Sequence, residues 1–532
     1  MATQAIGNST SLSASERKSR YSGDPVFHPT SQNKQVGDFG AYVVSAPVKP
    51  DWDDFIFAKI FLNRVFRNGY TRTQVKHMRI LCLLFCLVSF LFAAFVAPAE
   101  TKVERKGYVT ALNPPSGFRL GQQEIRVDQH TKVYELVMWD SNPSTPFAFR
   151  LVPPCTYIAV KGVENSQTHS ILAKTIDLMD DKSLCKVSGT GMEDKAPSLK
   201  KEGPIWNGKI YVDGYELIVD AGTKVVLSAA SDVNAFHPQL RIEYAAERQP
   251  DGSLHATNLT FAQNTEVAEQ KNYRDGHDFK IDLPDYDKKV PGKVHGLLWS
   301  AGILPDRQLQ DAISALGEKL VPQWQKELAD SDPAKIHFRL FVIKQNKTIK
   351  TTTSSPAGTV LVPVNVLLRL KNEAQLLSLL SADISGVVLE NGYYSHTQAH
   401  VQQAIDIGLL AAPYGSSFLG MILNDRSFSA KYWVPMMERD YRVGMQLVLA
   451  AGYDPREMPV AVQRLCAKHP DTPKAEQTSA FPAYLDAVVG FHSGDTDFSD
   501  LRTGETEYTS LLDMARTSEA AKTGKTRLSD ND

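Results

Sequence analysis

The chain has 532 residues, with 42% hydrophobic and 22% charged side chains and a formal net charge of -2. That length corresponds to about three or four domains with real cores, and the near-neutral balance excludes the overall basic character of a nucleic-acid-binding protein. Five cysteines are present with no C-x-x-C pair, which excludes a thiolate zinc site of the usual spacing.

Residues 1–50 are rich in Ser, Thr, Asn and Gly, a composition that predicts disorder. Asp53–Tyr70, "DDFIFAKIFLNRVFRNGY", has the pattern of an amphipathic helix lying on a membrane surface. Then comes "ILCLLFCLVSFLFAAFVA" (Ile80–Ala97), uncharged and almost wholly apolar, close to the minimum of about 18 residues for a bilayer span. Arg64, Arg67, Arg72, Lys76 and Arg79 precede it, so a span keeps the N-terminus cytoplasmic and exports the chain beyond Glu100. A start at Met78 instead gives a secretory signal, with Ala97-Pro98-Ala99 as its cleavage pattern. Segment 78–99 is therefore a single-pass anchor or a signal peptide cleaved near Ala99. Under either reading the C-terminal portion is exported, membrane-anchored or released.

From 100 to 275 the pattern is that of strands, alternating Val, Ile, Tyr and Thr with polar residues between turn formers. The segment repeats itself weakly. Val-Asp-x-x-Thr-Lys-Val occurs at Val127–Val133 and again at Val219–Val225. "YIAVKGVENSQTHSILAKTIDL" and "LRIEYAAERQPDGSLHATNLTF" correspond in the second halves. The repeat predicts two small all-β barrels, at 100–200 and 201–275. They resemble barrel modules of exported bacterial proteins, which act as binding units or spacers. The shared Asp-x-x-Thr-Lys reads as a turn between strands. Cys155 and Cys185 fall in this region; in an exported chain they can pair as a disulfide, and otherwise they are two buried thiols. Residues 276–300, charged and with two prolines, read as a linker.

After Leu304 the apolar spacing becomes helical. "PDRQLQDAISALGEKLVPQWQKEL" (Pro305–Leu328) predicts a helix, "KIHFRLFVIKQ" (Lys335–Gln345) a strand, and "GTVLVPVNVLLRL" (Gly358–Leu370) a strand leading to a helix. "NEAQLLSLLSADISGVVLENG" (Asn372–Gly392) then predicts one helix capped by Asn372 and stopped at Gly392. "MMERDYRVGMQLVLAAGYDPREMP" (Met436–Pro459) supplies another.

These two frames, in this order, resemble the M48 family of zinc metallopeptidases over about 150 residues. The matching features are Gly358, Leu367, Leu368, Asn372-Glu373 and Leu376, then Arg442, Gly444 and Ala451-Gly452-Tyr453-Asp454-Pro455. The resemblance implies an α+β, mostly helical peptidase-like domain at 301–515, with a flexible tail at 516–532. It also implies where zinc machinery would sit. The two motif histidines fall on Ala382 and Gly386, and the catalytic Glu falls on Asp383. The third ligand falls on Met437, and the following Asp on Tyr441. None of the three ligand positions keeps a good zinc donor: two histidines at i and i+4 can share an ion, but a methyl and a hydrogen cannot, and a thioether is a poor ligand for zinc; Asp383 keeps a carboxylate with no metal-bound water to act on.

The whole chain thus reads as multi-domain: a membrane segment or signal peptide, two barrels, and a degenerate peptidase-like domain. The expected function is an exported or membrane-anchored pseudopeptidase that binds a protein or peptide without hydrolysis and needs no cofactor. Asp383 and Arg442, a candidate ion pair, mark the expected groove. Ser378, Ala382, Ser385 and Gly386 form a stripe of small residues that lets a neighbouring helix fill the former metal site. Two alternatives stand beside this one. An active zinc metalloendopeptidase would use His396 and His400 in "HTQAH", with Glu390, Glu438 or Asp440 as further ligands. A plain structural module of the cell envelope would do neither.

Overall fold

The computed structural model describes residues 101–113, 117–135, 154–165, 167–195, 197–228, 233, 240–296, 299–346, 349–399, 430–466, 480–492 and 497–523, all within one unit, 98–532. Segment 78–99 and the amphipathic stretch before it lie outside the described residues. No helix among the described residues is long and apolar enough to cross a membrane.

The first sheet contains β1 (Thr101–Asn113), β2 (Gly117–Leu120), β3 (Gln123–Arg126), β4 (Lys132–Glu135), β5 (Thr156–Glu164) and β6 (Ile171–Ser183). The long β1 pairs with β5 along its first half and with β2 along its second. Hairpins join β2 to β3 and β5 to β6, and β3 lies parallel to β6. The ring therefore closes on itself, which leaves a row of inward side chains to fill it. Val109, Phe118, Ile125, Ile158, Val160, Ile171 and Ile176 form that core, all fully buried.

The second sheet repeats this thread. β7 (Lys186–Gly191) and β8 (Glu193–Lys195) together replace β1, pairing with β13 (Leu240–Arg248) and β10 (Ile205–Val212) respectively. β9 (Lys200–Glu202) is an added arm on β10. β11 (Tyr215–Val219) and β12 (Lys224–Ser228) both run parallel to β14 (Leu254–Gln263), as β3 and β4 do to β6. The repeated heptapeptide makes the same turn twice. Asp128 Oδ1 accepts the His130 N–H at 2.8 Å, and Thr131 Oγ1 donates to the Ala173 carbonyl at 2.8 Å. Asp220 Oδ1 accepts the Gly222 N–H at 2.8 Å, and Thr223 Oγ1 donates to the Ala256 carbonyl at 2.8 Å. Each threonine thus ties its turn to the parallel neighbour strand. The boundary expected at 200 moves to 186, because β7 and β8 belong to the second ring. Cys155 and Cys185 are joined as a disulfide with Cα atoms 5.1 Å apart, linking the start of β5 to the junction between the rings.

The third sheet corrects two expectations. β15 (Lys280–Asp282) and β16 (Gly292–His295) come from the stretch read as a linker, and β17 (Ser300–Ile303) begins at its end. They extend β18 (Arg339–Ile343), β20 (Thr359–Pro363) and β19 (Thr353–Ser354) into a six-stranded mixed sheet, order β15-β16-β17-β18-β20-β19. A six-stranded mixed sheet thus stands where a mostly helical domain was expected, and over the described residues strand at 36% slightly exceeds helix at 34%. The short, charged strands β15 and β16 carry few apolar positions, which is why their pairing escapes a reading by periodicity.

Helices α1 (Val267–Gly276), α2 (Arg307–Leu320), α3 (Gln323–Glu327), α4 (Val364–Arg369), α5 (Glu373–Val388), α6 (Asn391–Ala399), α7 (Ala430–Ala450), α8 (Glu457–Cys466), α9 (Ala480–His492) and α10 (Glu505–Thr523) complete the described elements. Asn372 caps α5, its side chain accepting the Gln375 N–H at 2.8 Å. The helix stops earlier than Gly392. Glu390 takes a left-handed φ of 55° and forms a buried ion pair with Arg274 of α1, so a new helix starts at Asn391. One large core runs through α2, α4, α5, α7, α8, α9 and α10 and also takes in Tyr108 and Tyr157 of the first barrel.

Both barrels dock on this helical layer through the same turn of the repeat. In the first, Gly121 (φ 57°) sits against Gly490 and Asp486 of α9, with Gln122 N and Nε2 donating to Asp486 at 3.2 and 2.8 Å. In the second, Asp213-Gly214 (φ 53° and 75°) sits on α7, where a Cβ on Gly214 would lie 2.5 Å from the Arg442 backbone. Both barrels are thus packed directly against the domain.

Candidate functional site

The edge strand β19, helix α5, the first turn of α6 and the middle of α7 surround a recess of about 90 Å³. At ~30 Å³ per water, that is room for roughly three waters or the end of one side chain. Helix α5 supplies Leu379, Ala382, Asp383, Gly386 and Val387, and α7 supplies Met436, Met437, Asp440 and Tyr441. Thr351, Thr352, Ser354, Ser355 and Pro356 come from β19 and its flanks, and Asn391 and Gly392 from α6. All five positions assigned by the resemblance to zinc machinery (Ala382, Asp383, Gly386, Met437, Tyr441) line this one recess.

Helix periodicity places them together. Residues 379, 382, 383 and 386 recur at three and four positions and so share a face, as do 436, 437, 440 and 441. The two helices meet at Gly444, where a Cβ would lie 2.7 Å from Ser381 Oγ. The close approach therefore falls at Ser381, outside the expected stripe and next to Ala382 of the recess wall. The recess itself stays open, contrary to the expectation that packing fills it.

Two carboxylates face into it. Burial pushes Asp383 up to about 7, against a hydrogen bond from Thr352 and with the nearby Asp440 raising it further. Burial likewise pushes Asp440 up to about 7, against the charge of Arg439 and the hydrogen bonds of Asn391. Asn391 Nδ2 spans both oxygens of Asp440, at 2.7 and 2.8 Å. Two neighbouring acids in one small recess resist ionising together, so near neutrality the pair presents both a donor and an acceptor. Burial, with Asp383 beside it, drives the Tyr441 phenol far above its ordinary value and keeps it neutral.

Zinc does not fit the inherited ligand positions, and Asp383 and Asp440 alone are two donors where about three are needed. Ala382 and Gly386 bring no lone pair, and Met437 brings a thioether. Tyr441 brings a neutral phenol. Space is also committed: a Cβ at Gly386 would already lie 3.1 Å from Asp440 Oδ2 and 3.2 Å from Asn391 Nδ2. The place of a second histidine is taken by that hydrogen-bonded pair. Among the described residues no group of three or more His, Cys, Asp or Glu is placed to hold a metal ion.

Arg442 is not the partner of Asp383. It is buried and turned to the second barrel, where Nε donates to the Asp213 carbonyl at 3.0 Å. Its guanidinium stacks 4.1 Å from the Tyr215 ring centroid and donates to the Tyr484 hydroxyl. His396 belongs to α6, but its side chain and all of His400 lie outside the described residues. Asn391 and Thr352 carried no sequence signal. Asp440 did: it follows Met437 by three residues and so shares its helix face. No protein-family model matches the chain, and no curated protein matches it.

Proposed function

We propose that the chain is an exported, non-hydrolytic binding protein whose recess takes the end of one side chain from a protein or peptide partner. The observation that carries this is the coincidence of all five expected peptidase positions in one open recess with no zinc donor set among them. Leu379, Val387, Met436 and Met437 suit an aliphatic stem, and Asp383 and Asp440 suit a cationic or hydrogen-donating tip. Strand β19 ends the sheet beside the recess, which is where an extended peptide can lie. The Cys155–Cys185 disulfide supports an oxidising compartment.

The test uses the full chain. Zinc content after metal supplementation, hydrolysis of a fluorogenic peptide library, and retention of the same library by the immobilised protein are measured together. The expected result is no stoichiometric zinc, no cleavage, and retention of a peptide subset that is lost in Ala382→Leu, which fills the recess. Stoichiometric zinc with cleavage abolished by His400→Ala overturns the reading in favour of an atypical metalloendopeptidase. Retention unchanged in Ala382→Leu removes the recess as the binding site.

A further inference from the structure

The second barrel reaches the recess through a continuous chain of polar side chains. Asp213, in the docking turn, is only 2% exposed. Its Oδ2 accepts the Tyr244 hydroxyl at 2.9 Å, while its Oδ1 has no hydrogen bond and faces Arg439 Nη1 at 3.9 Å. The other end of the same guanidinium donates to Asn391 Oδ1. Asn391 then holds Asp440 with its amide nitrogen, and Asp440 lines the recess. Arg439 Nε has no partner, so this half-buried guanidinium is held by its two ends.

An amide has one orientation that serves both neighbours. With Arg439 donating to its oxygen, Asn391 must turn its nitrogen to Asp440. If Arg439 withdraws, that constraint is lost. The charges that face Asp440 come from every element around it: Arg439 and Arg442 on its own helix, Asp383 on α5, and Asp213 on the barrel. Of these, only Asp213 belongs to a different module.

We propose that the Asp213–Gly214 turn of the second barrel is a positioning element for the recess: it holds Arg439 against Asn391, and Asn391 thereby fixes Asp440. Movement or occupation of the second barrel is then felt at the recess wall. The first barrel makes the equivalent contact with Asp486, which does not line the recess, and serves as the internal control. The coupling rests on the same recess that is proposed as a binding site, but its test needs no ligand, so either idea can fail while the other stands.

The full chain is labelled with 13C at the aspartate carboxyls, and the Asp440 resonance, assigned through Asp440→Asn, is titrated with pH. Asp213→Asn keeps the turn, because asparagine also tolerates the left-handed backbone there. It frees Arg439 and with it Asn391, whose amide hydrogen bonds hold the Asp440 midpoint down, so the midpoint rises by roughly half a unit or more, against the fall that loss of the Asp213 charge alone would give. Gly214→Ala keeps that charge: strained at φ 75° and blocked by the Arg442 backbone, it lifts the turn from Arg439 and raises the midpoint too. Gln122→Ala leaves it in place. A midpoint unchanged or lowered in whichever of the two turn variants is folded, or one moved equally by Gln122→Ala, overturns the proposal.

Discussion

The hydroxyl of Tyr453 donates to Glu373 at 2.5 Å, joining two residues that lie 80 positions apart. Glu373 opens α5, and Tyr453 follows the glycine that ends α7 with φ 77°. Lys319 Nζ donates to the same hydroxyl at 3.0 Å, so a fully buried tyrosine is satisfied from both sides. This bond closes the two helices around the recess at the end remote from it. Tyr453→Phe leaves the buried Glu373 without this partner and is expected to cost about 1–3 kcal/mol, read from urea denaturation. No change in midpoint would show that the two frames are held together elsewhere.

Stability is expected to fall as pH rises through neutrality. Asp383 and Asp440 both titrate near 7 in the folded chain, well above the ordinary carboxyl range of the unfolded chain. The folded form therefore binds more protons between those values. The contribution is fully present below about pH 4 and is lost as pH passes 7. Asp383→Asn removes one of the two groups, so it should leave the melting temperature at pH 4 nearly unchanged and raise it by about 2–4 °C at pH 8. A variant that melts lower at pH 8 would mean that the charged form of Asp383 is stabilising.

Restoring the two histidines should not restore a metal site. Ala382→His with Gly386→His places a side chain where Asp440 and Asn391 already meet, and Met437 still supplies no third ligand. The double variant is expected to melt lower than the parent and to retain no stoichiometric zinc through gel filtration, measured by elemental analysis. Tight zinc binding would show that the recess kept a tetrahedral geometry beneath its new residues.

The buried pair of Arg274 and Glu390, with side chains 4% and 7% exposed, holds α1 against the break between α5 and α6. Breaking it alone, in Arg274→Met, strands a buried carboxylate and is expected to cost about 3–5 kcal/mol in chemical denaturation. Adding Glu390→Gln should recover part of that loss. A single variant as stable as the parent would mean that Glu390 is already neutral in the native fold, consistent with burial pushing it to about 7.

Much of the recess was legible because it lies on helices. Ala382, Asp383 and Gly386, like Met437 and Tyr441, are spaced so that each set must share a face, and spacing is what a sequence displays directly. The capping of α5 by Asn372 was equally plain. Arg442 was misassigned because helix position fixes direction but not the neighbour in that direction; its partners Asp213, Tyr215 and Tyr484 come from a barrel and from α9. Strands β15 and β16 were missed for a related reason. In Lys280–Asp282 and Gly292–His295 the ladder is made by backbone groups, which leave no trace in side-chain pattern. Glu390 ends α5 through an ion pair with a residue more than a hundred positions earlier, and no local signal marks that.

Closing each ring leaves the barrels nearly identical in thread, so nothing in their cores says which belongs where. Two residues in each docking turn do. Gly121-Gln122 carries neutral donors that meet the Asp486 carboxylate, whereas Asp213-Gly214 presents only acceptors to α7, a carboxylate facing Arg439 and a backbone carbonyl taken by Arg442. Exchanging these dipeptides would set amide against guanidinium on α7 and carboxylate against carboxylate on α9. The turns therefore work as addresses of opposite polarity, and they keep a duplicated module from being delivered to its twin's berth.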